Sequence, residues 1–583
     1  MDRREYMREY KRRYRAARNA NKHDGDAFLS LSCLSVDKAD ELGHGQINGW
    51  ALVFGNKAQI SGETVELQGD NITSLLDAFK SVKSQNTVFV CNLKVWGRFF
   101  VAKAERLKLN VSDNTTQKNT YRVVVNSVGD WLGVELNIDG NRTFIKSFSE
   151  IIRTPLDKAY KDFCGGLLRN AGILRTARAM CDIMEAFKKA LLQISGGVSF
   201  KANTISGYAQ KLCEIIAGHG CPEYGKAEYK AVFPTLSREL GDELRAAKVY
   251  RGGWNYLNPK ALTYTGAGYV LDVHSFYPSI YADCMPFGHC IKVKNGETIR
   301  GNAAFKYAIY NVLELSAHLK VGGVPTIQII NDNSQTEYLT EINYTGGAPF
   351  MLDDFDLSSL YANYNVDYIT IDYAYRFRVS EVEFLKTYAN RLFNLKSRCN
   401  GDAIGAAAKY LLNSLSGRFG LNSYRREVDI IKNKSYKGEY KYVGELGYLP
   451  AAVYINSRGR WWISELARLH KDVFLYSDTD SLIIKGDEIP KDLEKLIGDG
   501  LGQLGVKRFT ECKFFAQKCY GIKTLFDGWQ WTVAGASPQM LKELDAGAYS
   551  GQVLRGGVIP KIYPDGTIAF KEREFTLARN MIF

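Results

Sequence analysis

Short apolar runs alternate with amphipathic stretches along most of the chain. Strand-like runs rich in β-branched residues stand at 87–93 (TVFVCNL) and 121–128 (YRVVVNSV). Apolar positions with helical spacing follow at 173–194, and again at 379–397 and 404–417. Strand-like and helix-like segments continue to alternate beyond these. The pattern therefore predicts an α/β protein with several domains.

Three segments have the pattern of paired strands joined by a tight turn. Residues 473–484 (VFLYSDTDSLII) place two acids between apolar β-formers, which predicts a hairpin with half-buried carboxylates at its turn. Residues 424–443, rich in Lys and Tyr, predict a solvated hairpin. Residues 554–577 hold a Pro-Asp-Gly turn between two strand-like runs.

Composition and charge narrow the class of protein. The chain has 583 residues, 45% hydrophobic, with a formal net charge of +13, which favours a polyanionic partner such as nucleic acid. Residues 1–22, basic with Tyr6, Tyr10 and Tyr14 on one helical face, suit either a helix on a phosphate backbone or a solvated tail. The 11 cysteines form no CxxC pair, and no long apolar run predicts a membrane span. We expect an intracellular protein.

The acidic residues of two segments indicate phosphoryl-transfer chemistry. Asp478 and Asp480 stand two residues apart, so on a strand they face the same side. The strand-like segment GYVLDV ends at Asp272, a third carboxylate. Clustered carboxylates repel one another unless cations lie between them. Two Mg²⁺ ions about 3.5–4 Å apart would activate a 3′-hydroxyl and stabilise a leaving pyrophosphate.

A helix-like segment supplies a basic side chain for such a site. Lys409 and Asn413 are four residues apart and share a helical face. A lysine facing the metals would neutralise triphosphate charge. Gly417 on the same segment would let a base pair approach the backbone closely.

These segments resemble conserved motifs of family B DNA polymerases. DVHSFYPSI (272–280), KYLLNSLSG (409–417) and YSDTDS (476–481) are similar to motifs A, B and C, in the same order. Further matches resemble the protein-primed branch of small tailed phages and linear plasmids, namely YRGG (250–253), VFPTLS (232–237), PTIQI (325–329) and KCY (518–520).

The resemblance implies a role for each matching residue. Asp272, Asp480 and the Val273 carbonyl would bind the two metal ions, Mg²⁺ with Mn²⁺ as a substitute, and Asp478 would support them. Nucleotide binding would fall to Tyr277, which would exclude a 2′-hydroxyl, and to Lys396, Lys409 and Asn413. DNA binding would fall to Tyr250, Arg251, Gly252, Arg460, Lys518, Tyr520 and Asn92.

The resemblance also implies a domain order. A basic extension (1–30) would precede a 3′–5′ exonuclease-like, RNase H-like domain (31–195) and a right-hand polymerase (196–583). The polymerase would divide into palm (about 230–283 and 450–550), fingers (about 382–419) and thumb (about 551–583). Two insertions would interrupt the palm. One (about 284–381) would contact a priming protein, and the other (about 420–449) would favour strand displacement.

The proofreading motifs depart from the family pattern. An exonuclease of this kind needs about four carboxylates for its own two metals. Trp96 stands where the second motif has Asp, and Ala39 stands where the first has Glu, beside a retained Asp37. In the third motif Asp182 remains, whereas Arg178 replaces Tyr. We therefore expect the domain to persist without exonuclease activity.

The function expected is a template-directed DNA polymerase, protein-primed and strand-displacing, without proofreading. Its partners would be DNA, deoxynucleoside triphosphates and a terminal protein, and it would act as a monomer in the bacterial cytoplasm if encoded by a phage or plasmid. Ser416 stands where motif B usually has Tyr, which leaves nucleotide selection open. Two alternatives remain: primer-independent or error-prone synthesis in a mobile-element or antiviral setting, and a nucleic-acid-binding scaffold without catalysis.

Overall fold

The computed structural model describes most of the chain. The described residues are 27–33, 47–54, 66–69, 72–82, 87–91, 93, 96–97, 100, 109–111, 117–125, 131–168, 172–294, 305–330, 336–431, 434–444, 447–562 and 568–577. Outside them lie the basic stretch 1–22, Asp37, Ala39, Asn92 and the Pro-Asp-Gly turn at 564–566.

The N-terminal part forms an eight-stranded mixed sheet. Its strands are β1 (Ala27–Cys33), β2 (Ile47–Phe54), β3 (Glu66–Gly69), β4 (Thr87–Val90), β5 (Asn110–Val111), β6 (Thr120–Val125), β7 (Trp131–Ile138) and β8 (Asn141–Ser147). They run in the order β3-β2-β1-β4-β8-β7-β6-β5, with β1, β4 and β8 parallel. The apolar strand β4 is buried along its whole length, as the strand-like run at 87–93 predicts.

Six helices accompany and follow this sheet. They are α1 (Ile72–Phe79), α2 (Leu156–Cys164), α3 (Ile173–Ile194), α4 (Ile205–Ala217), α5 (Pro222–Val232) and α6 (Arg238–Ala246). The predicted helix at 173–194 is confirmed as α3, which packs against β1 and β2. Its apolar residues join a core that continues into the C-terminal part of the chain, so the two parts pack together.

A five-stranded antiparallel sheet forms the centre of the C-terminal part. Its strands are β9 (Asn255–Leu257), β10 (Gly268–Val273), β20 (Phe474–Asp478), β21 (Ser481–Lys485) and β22 (Leu504–Phe509), in the order β22-β10-β21-β20-β9. The predicted hairpin at 473–484 is confirmed as β20 and β21. Helices α7 (Phe276–Asp283), α11 (Leu449–Leu469) and α12 (Lys491–Glu494) belong to the same part of the chain.

A second, strongly twisted sheet is inserted after α7. It contains β11 (Met285–Lys294), β12 (Tyr307–Leu319), β15 (Glu341–Tyr344), β16 (Met351–Asp353) and β17 (Tyr364–Ser380). Strands β13 (Gln328–Ile330) and β14 (Thr336–Tyr338) pair separately, and α8 (Asp354–Asn363) follows β16. The long pairing of β12 with β17 contains several register shifts, which increase the local twist.

Two antiparallel helices and a hairpin follow this sheet. The helices are α9 (Glu383–Arg398) and α10 (Ala403–Phe419), and the hairpin is β18 (Tyr424–Ile431) with β19 (Lys434–Tyr442). The helix and hairpin predictions are confirmed here, except that the helix predicted from 379 begins at Glu383. Residues 379–380 are instead the end of β17 and pair with β11, so sheet hydrogen bonds override their helical periodicity.

The C-terminal end is mostly β-structure. Strands β23 (Glu511–Ala516), β24 (Cys519–Thr524) and β25 (Gly528–Val533) form a meander, followed by α13 (Pro538–Leu541), β26 (Val553–Ile562) and β27 (Ile568–Thr576). Pairing of β26 with β27 confirms the strands expected around the Pro-Asp-Gly segment. None of the helices in the described part of the chain has the length and apolarity needed to cross a membrane.

Candidate active site

Two carboxylates meet where β10 and β21 begin to diverge. Asp272 pairs in register with Ser481, and the next amide, Val273 N–H, donates to the carbonyl oxygen of Asp480 at 2.8 Å. The turn between β20 and β21 closes through a hydrogen bond from Asp480 N–H to Asp478 O (2.7 Å), with Thr479 at φ +66°. Sheet register therefore places Asp480 beside Asp272, although 207 positions separate them in the sequence.

The pKa values of these two carboxylates are raised by their surroundings. Burial, and then the negative charge of Asp272, raises the pKa of Asp480 to about 6. Burial also raises the pKa of Asp272, opposed by His274 and Lys396. Within the described residues neither carboxylate accepts a side-chain hydrogen bond or forms an ion pair. A pair of acids in this situation favours binding of a cation.

The donor set fits magnesium. Among the described residues, no three His, Cys, Asp or Glu side chains lie close enough together to hold a metal ion alone. Mg²⁺ in phosphoryl-transfer enzymes typically takes one or two protein carboxylates and completes its coordination with water and substrate phosphates. Asp272, Asp480 and the backbone at Val273 match that requirement, whereas a structural zinc site would need four protein ligands.

Asp478 differs from the other two acids because a protein cation neutralises it. Lys518 Nζ lies 2.7 Å from Asp478 Oδ1. Lys518 has a positive φ of 53°, and its backbone N–H donates to the Tyr476 hydroxyl at 2.9 Å. Tyr520, two residues on, packs against Tyr476 with ring centroids 5.1 Å apart. The KCY segment is thus fixed to the catalytic hairpin.

Two lysines line a cavity beside Asp272. Lys396 on α9 and Lys409 on α10 share with His274 a cavity of about 470 Å³. Lys396 Nζ donates to Ser275 Oγ at 3.1 Å, directly after the catalytic strand. Burial and the nearby charge of Lys409 lower the pKa of Lys396. Two cations held together without ion-pair partners in the described structure suit a polyanion such as a triphosphate.

Tyr277 lies on α7, and the residues of KYLLNSLSG lie on α10. The Tyr277 ring stacks on Phe276 with centroids 5.8 Å apart. Gly459 on α11 allows this, because an added Cβ there would lie 3.1 Å from Phe276 and 3.4 Å from Tyr277. Asn413 is exposed on α10, and Ser416 Oγ donates back to its carbonyl at 3.4 Å. Open space surrounds Gly417, as close approach of a ligand requires.

The YRGG segment is held by a buried ion-pair cluster. Arg251 Nη1 and Arg460 Nη2 lie 3.0 and 2.9 Å from the two carboxylate oxygens of Asp356, and each arginine is only 4% exposed. Arg460 Nη1 also donates to Gly252 O at 3.0 Å. Template binding by Arg251 and Arg460 stays a prediction, and the two guanidinium groups are buried. They hold the backbone of the segment, because Asp356 draws both into the core.

The backbone of this segment reaches the catalytic turn. A Cβ at Gly253 would lie 2.5 Å from the Thr479 side chain, so the segment passes directly against the turn between the two acids. Thr479 N–H donates to Trp254 O at 2.9 Å. Tyr250 packs over Gly420 at the end of α10. Gly252 is exposed, so its backbone, unlike the Arg251 side chain, is accessible to a ligand.

The sequence analysis missed the acids around this cluster. Asp353 accepts hydrogen bonds from Tyr307 Oη (2.7 Å), Ser457 Oγ and the backbone amides of Phe355 and Asp356. Burial and the charge of Asp356 raise the pKa of Asp353. The signal that could have found them is the run Asp353–Asp356 (DDFD) at a helix start, where acidic residues cap free amides.

Among the described residues of the eight-stranded sheet and its helices, no three His, Cys, Asp or Glu side chains lie close enough together to hold a metal ion. Strand β1 packs against α3 and contains no carboxylate. Trp96 packs on the core of the sheet. Arg178 on α3 forms an ion pair with Glu66 through two hydrogen bonds, one of them from Nη2 to Oε2 at 2.6 Å, one turn before the exposed Asp182. Asn92, Asp37 and Ala39 lie outside the described residues, so those predictions stay predictions.

Comparison with known proteins agrees with this geometry. The family model described as DNA polymerase type B, organellar and viral, matches residues 177–495. The DNA polymerase of Bacillus phage phi29 is 29% identical over 483 residues, 77% of this chain and 80% of that protein. The DNA polymerase of Bacillus phage M2 is 28% identical over 492 residues, 79% of this chain and 82% of that protein.

A solved structure shows the same fold. Phi29 DNA polymerase complexed with primer-template DNA and incoming nucleotide substrates superposes with a TM-score of 0.78 at 22% identity, covering 95% of this chain and 100% of that chain. The fold and the site together define a template-directed polymerase with an exonuclease-like domain. Since the family model covers more than half of it, the chain belongs to the type B DNA polymerases of the organellar and viral group and is a DNA-directed DNA polymerase.

Proposed function

We propose that the chain extends a DNA primer through two divalent ions, Mg²⁺ or Mn²⁺, bound by Asp272, Asp480 and the Val273 carbonyl. The observation that supports this most is the pair of uncompensated carboxylates on adjacent strands. The bound ions would polarise the primer 3′-hydroxyl and stabilise the charge on the leaving pyrophosphate. Primer extension on a templated duplex with and without Mg²⁺ tests the proposal, and extension in EDTA would contradict it.

The protein's own groups would orient the reactants. Lys396 and Lys409 bind the triphosphate, with Asn413 one turn beyond Lys409 on α10. Tyr277 lies under the sugar and leaves no room for a 2′-hydroxyl. Lys518 and Tyr520 hold the primer end against the catalytic hairpin, whereas Tyr250 and the Gly252 backbone meet the template. Arg251, Arg460 and Asp478 act as positioning residues through the contacts described above.

Shortening the Tyr277 side chain should relax sugar selection. In Tyr277→Val the ring that fills the space above Phe276 is lost, so a ribonucleotide fits. We expect the ratio of kcat/KM for deoxy- over ribonucleotide to fall about tenfold or more, equivalent to about 1.4 kcal/mol of discrimination. Single-nucleotide incorporation with matched dNTP and rNTP measures this ratio. Tyr368→Val, on an exposed position of β17, is the control and should leave it unchanged.

We further propose that the exonuclease-like domain has no nuclease activity. Its cleft has Trp96 and the Arg178–Glu66 ion pair where metal ligands would be needed. A 5′-labelled primer incubated with Mg²⁺ and no nucleotides should keep its full length. Shortening that persists in Asp480→Ala would contradict the proposal, because it would place a second metal-dependent site outside the polymerase centre.

We propose protein priming and strand displacement on the strength of the inserted sheet and the hairpin β18–β19. Residues 284–381 would contact a terminal protein, and residues 420–449 would encircle DNA. We also propose the other domain limits given above. We further propose that the protein is a monomer and acts in the cytoplasm of a phage host. Two assays would separate the two insertions: nucleotide transfer to a co-expressed terminal protein, and synthesis of long products that displace a strand. Deletion of 424–443 should abolish only the long displaced products and leave the nucleotide transfer intact. The scaffold and primer-independent alternatives are not favoured.

A further inference from the structure

A second cavity opens at the junction between the inserted sheet and the helices that support the active site. Its volume is about 660 Å³. Helices α7, α8 and α11 and strands β12 and β17 each contribute residues to its wall. We call it the junction pocket. Its lining includes Tyr310, Asp354, Phe355, Arg376, Arg458 and Trp461.

One wall of the junction pocket is aromatic and rigid. Phe355 and Trp461 are both half-buried, with ring centroids 5.7 Å apart. The buried ring of Tyr454 packs edge-on against Phe355 at 5.3 Å, and Tyr307 packs against Tyr454 at 5.0 Å. The two half-buried rings are therefore fixed from behind, which lowers the entropy cost of stacking a planar group on them.

The lining also contains an arginine. Arg376 Nε is buried and has no hydrogen-bond partner in the described structure. The acid beside it, Asp354, already accepts from Tyr310 Oη and Ala308 N–H, each at 2.7 Å. A buried donor left without a partner costs free energy, and such groups are rare in folded proteins. The Arg376 side chain is therefore the pocket's candidate for binding an anion.

The charge of the pocket indicates which ligand fits. Three cations, Lys306, Arg376 and Arg458, face two acids, Asp283 and Asp354. Arg458 Nη2 pairs with Asp283 at 2.5 Å, and Lys306 is exposed. An aromatic wall together with lining cations is an arrangement that can bind one unit of single-stranded nucleic acid, with the base stacked and the phosphate on a cation.

We propose that the junction pocket binds one nucleotide of single-stranded DNA, the base against Phe355 and Trp461 and the phosphate on Arg376. The pocket lies at the C-terminal end of α7, whose first turn carries Tyr277. At about 1.5 Å per residue, the six residues from Tyr277 to Asp283 place it roughly 9 Å along the helix from Tyr277. It would anchor an unpaired strand close to the growing duplex. The inference deepens the proposed function, since it takes DNA as the substrate.

Fluorescence anisotropy with 5′-labelled oligo(dT) tests the pocket directly. The variants are Phe355→Leu, which keeps apolar packing and loses the ring, and Arg376→Gln. We expect each to bind oligo(dT) about tenfold more weakly, and Arg376→Gln to reduce the salt dependence by about one counterion. Controls are Tyr368→Leu and Arg508→Gln, an exposed tyrosine and an exposed arginine outside the pocket. Circular dichroism melting confirms that all variants fold.

Two duplex substrates identify the strand. A primer-template with a single-stranded template overhang and one with a displaced flap are compared with a blunt duplex. A defect confined to the overhang assigns the template, and a defect confined to the flap assigns the displaced strand. The proposal would be overturned if both variants bound oligo(dT), the overhang substrate and the flap substrate normally. An equal loss of binding to the blunt duplex would also overturn it.

The outcome separates the pocket from the active site. Asp480→Ala should bind oligo(dT) as the wild type does, because it lies outside the junction pocket. Wild-type extension with normal binding by both pocket variants would reject the pocket and leave the polymerase proposal standing. If the pocket variants bind oligo(dT) more weakly but the wild type does not extend a primer, the pocket proposal stands and the polymerase proposal is rejected.

Discussion

Asp480→Asn should abolish primer extension while leaving the protein folded. The amide keeps the shape of the side chain and loses the charge that a divalent ion needs. We expect kcat/KM to fall at least about a thousandfold, the range found when a group that stabilises transition-state charge is removed. Extension of a labelled primer on a templated duplex at saturating Mg²⁺ measures the loss.

The same substitution should not destabilise the protein. Asp480 is held next to Asp272 without a protein cation, so removing its charge relieves repulsion. The melting temperature in metal-free buffer should stay equal or rise, as is common when a strained functional group is replaced. Asp487→Asn, an exposed acid just after β21, is the matched control and should keep full activity. Extension by Asp480→Asn within tenfold of the wild type would refute its role as a ligand.

Asp356→Asn should destabilise the protein more than any surface substitution. Asp356 is 5% exposed and neutralises two arginines that are themselves 4% exposed. Burial opposes its ionisation, yet the Arg460 and Arg251 charges hold the pKa of Asp356 below its usual value. The variant leaves two guanidinium groups buried with reduced compensation, which typically costs about 3–5 kcal/mol. Urea unfolding followed by circular dichroism measures the change.

The surface pair Asp487–Arg508 provides the control for stability. Its side chains are 83% and 58% exposed, so Asp487→Asn should cost at most about 1 kcal/mol. Asp356→Asn should also lower extension, because Arg460 fixes the Gly252 carbonyl beside the catalytic turn. Normal stability of Asp356→Asn in urea would contradict the role of Asp356 in compensating the two buried arginines.

Local pattern was sufficient for most elements. The helix at 173–194 is found at the predicted limits because its apolar positions repeat over many turns without a Gly or Pro break. The hairpin at 473–484 follows from apolar β-formers on both sides of a short acidic turn. The prediction that a helix begins at 379 was wrong because Val379 and Ser380, despite their helical spacing, pair with β11 in the sheet. That pairing depends on residues almost a hundred positions earlier in the chain.

The sequence predicted the residues of the candidate site. The acids at 272, 478 and 480 and the lysine at 409 follow from residue type and spacing within short segments, whereas Lys396 and the lost ligand position at Trp96 follow from the resemblance to family motifs. Only the tertiary structure decided how these groups are paired and buried. It paired Asp478 with Lys518 and buried Arg251 and Arg460 around Asp356. It also assembled the junction pocket from five separate elements. Burial and pairing across long sequence separations depend on the packed core, which no local pattern contains.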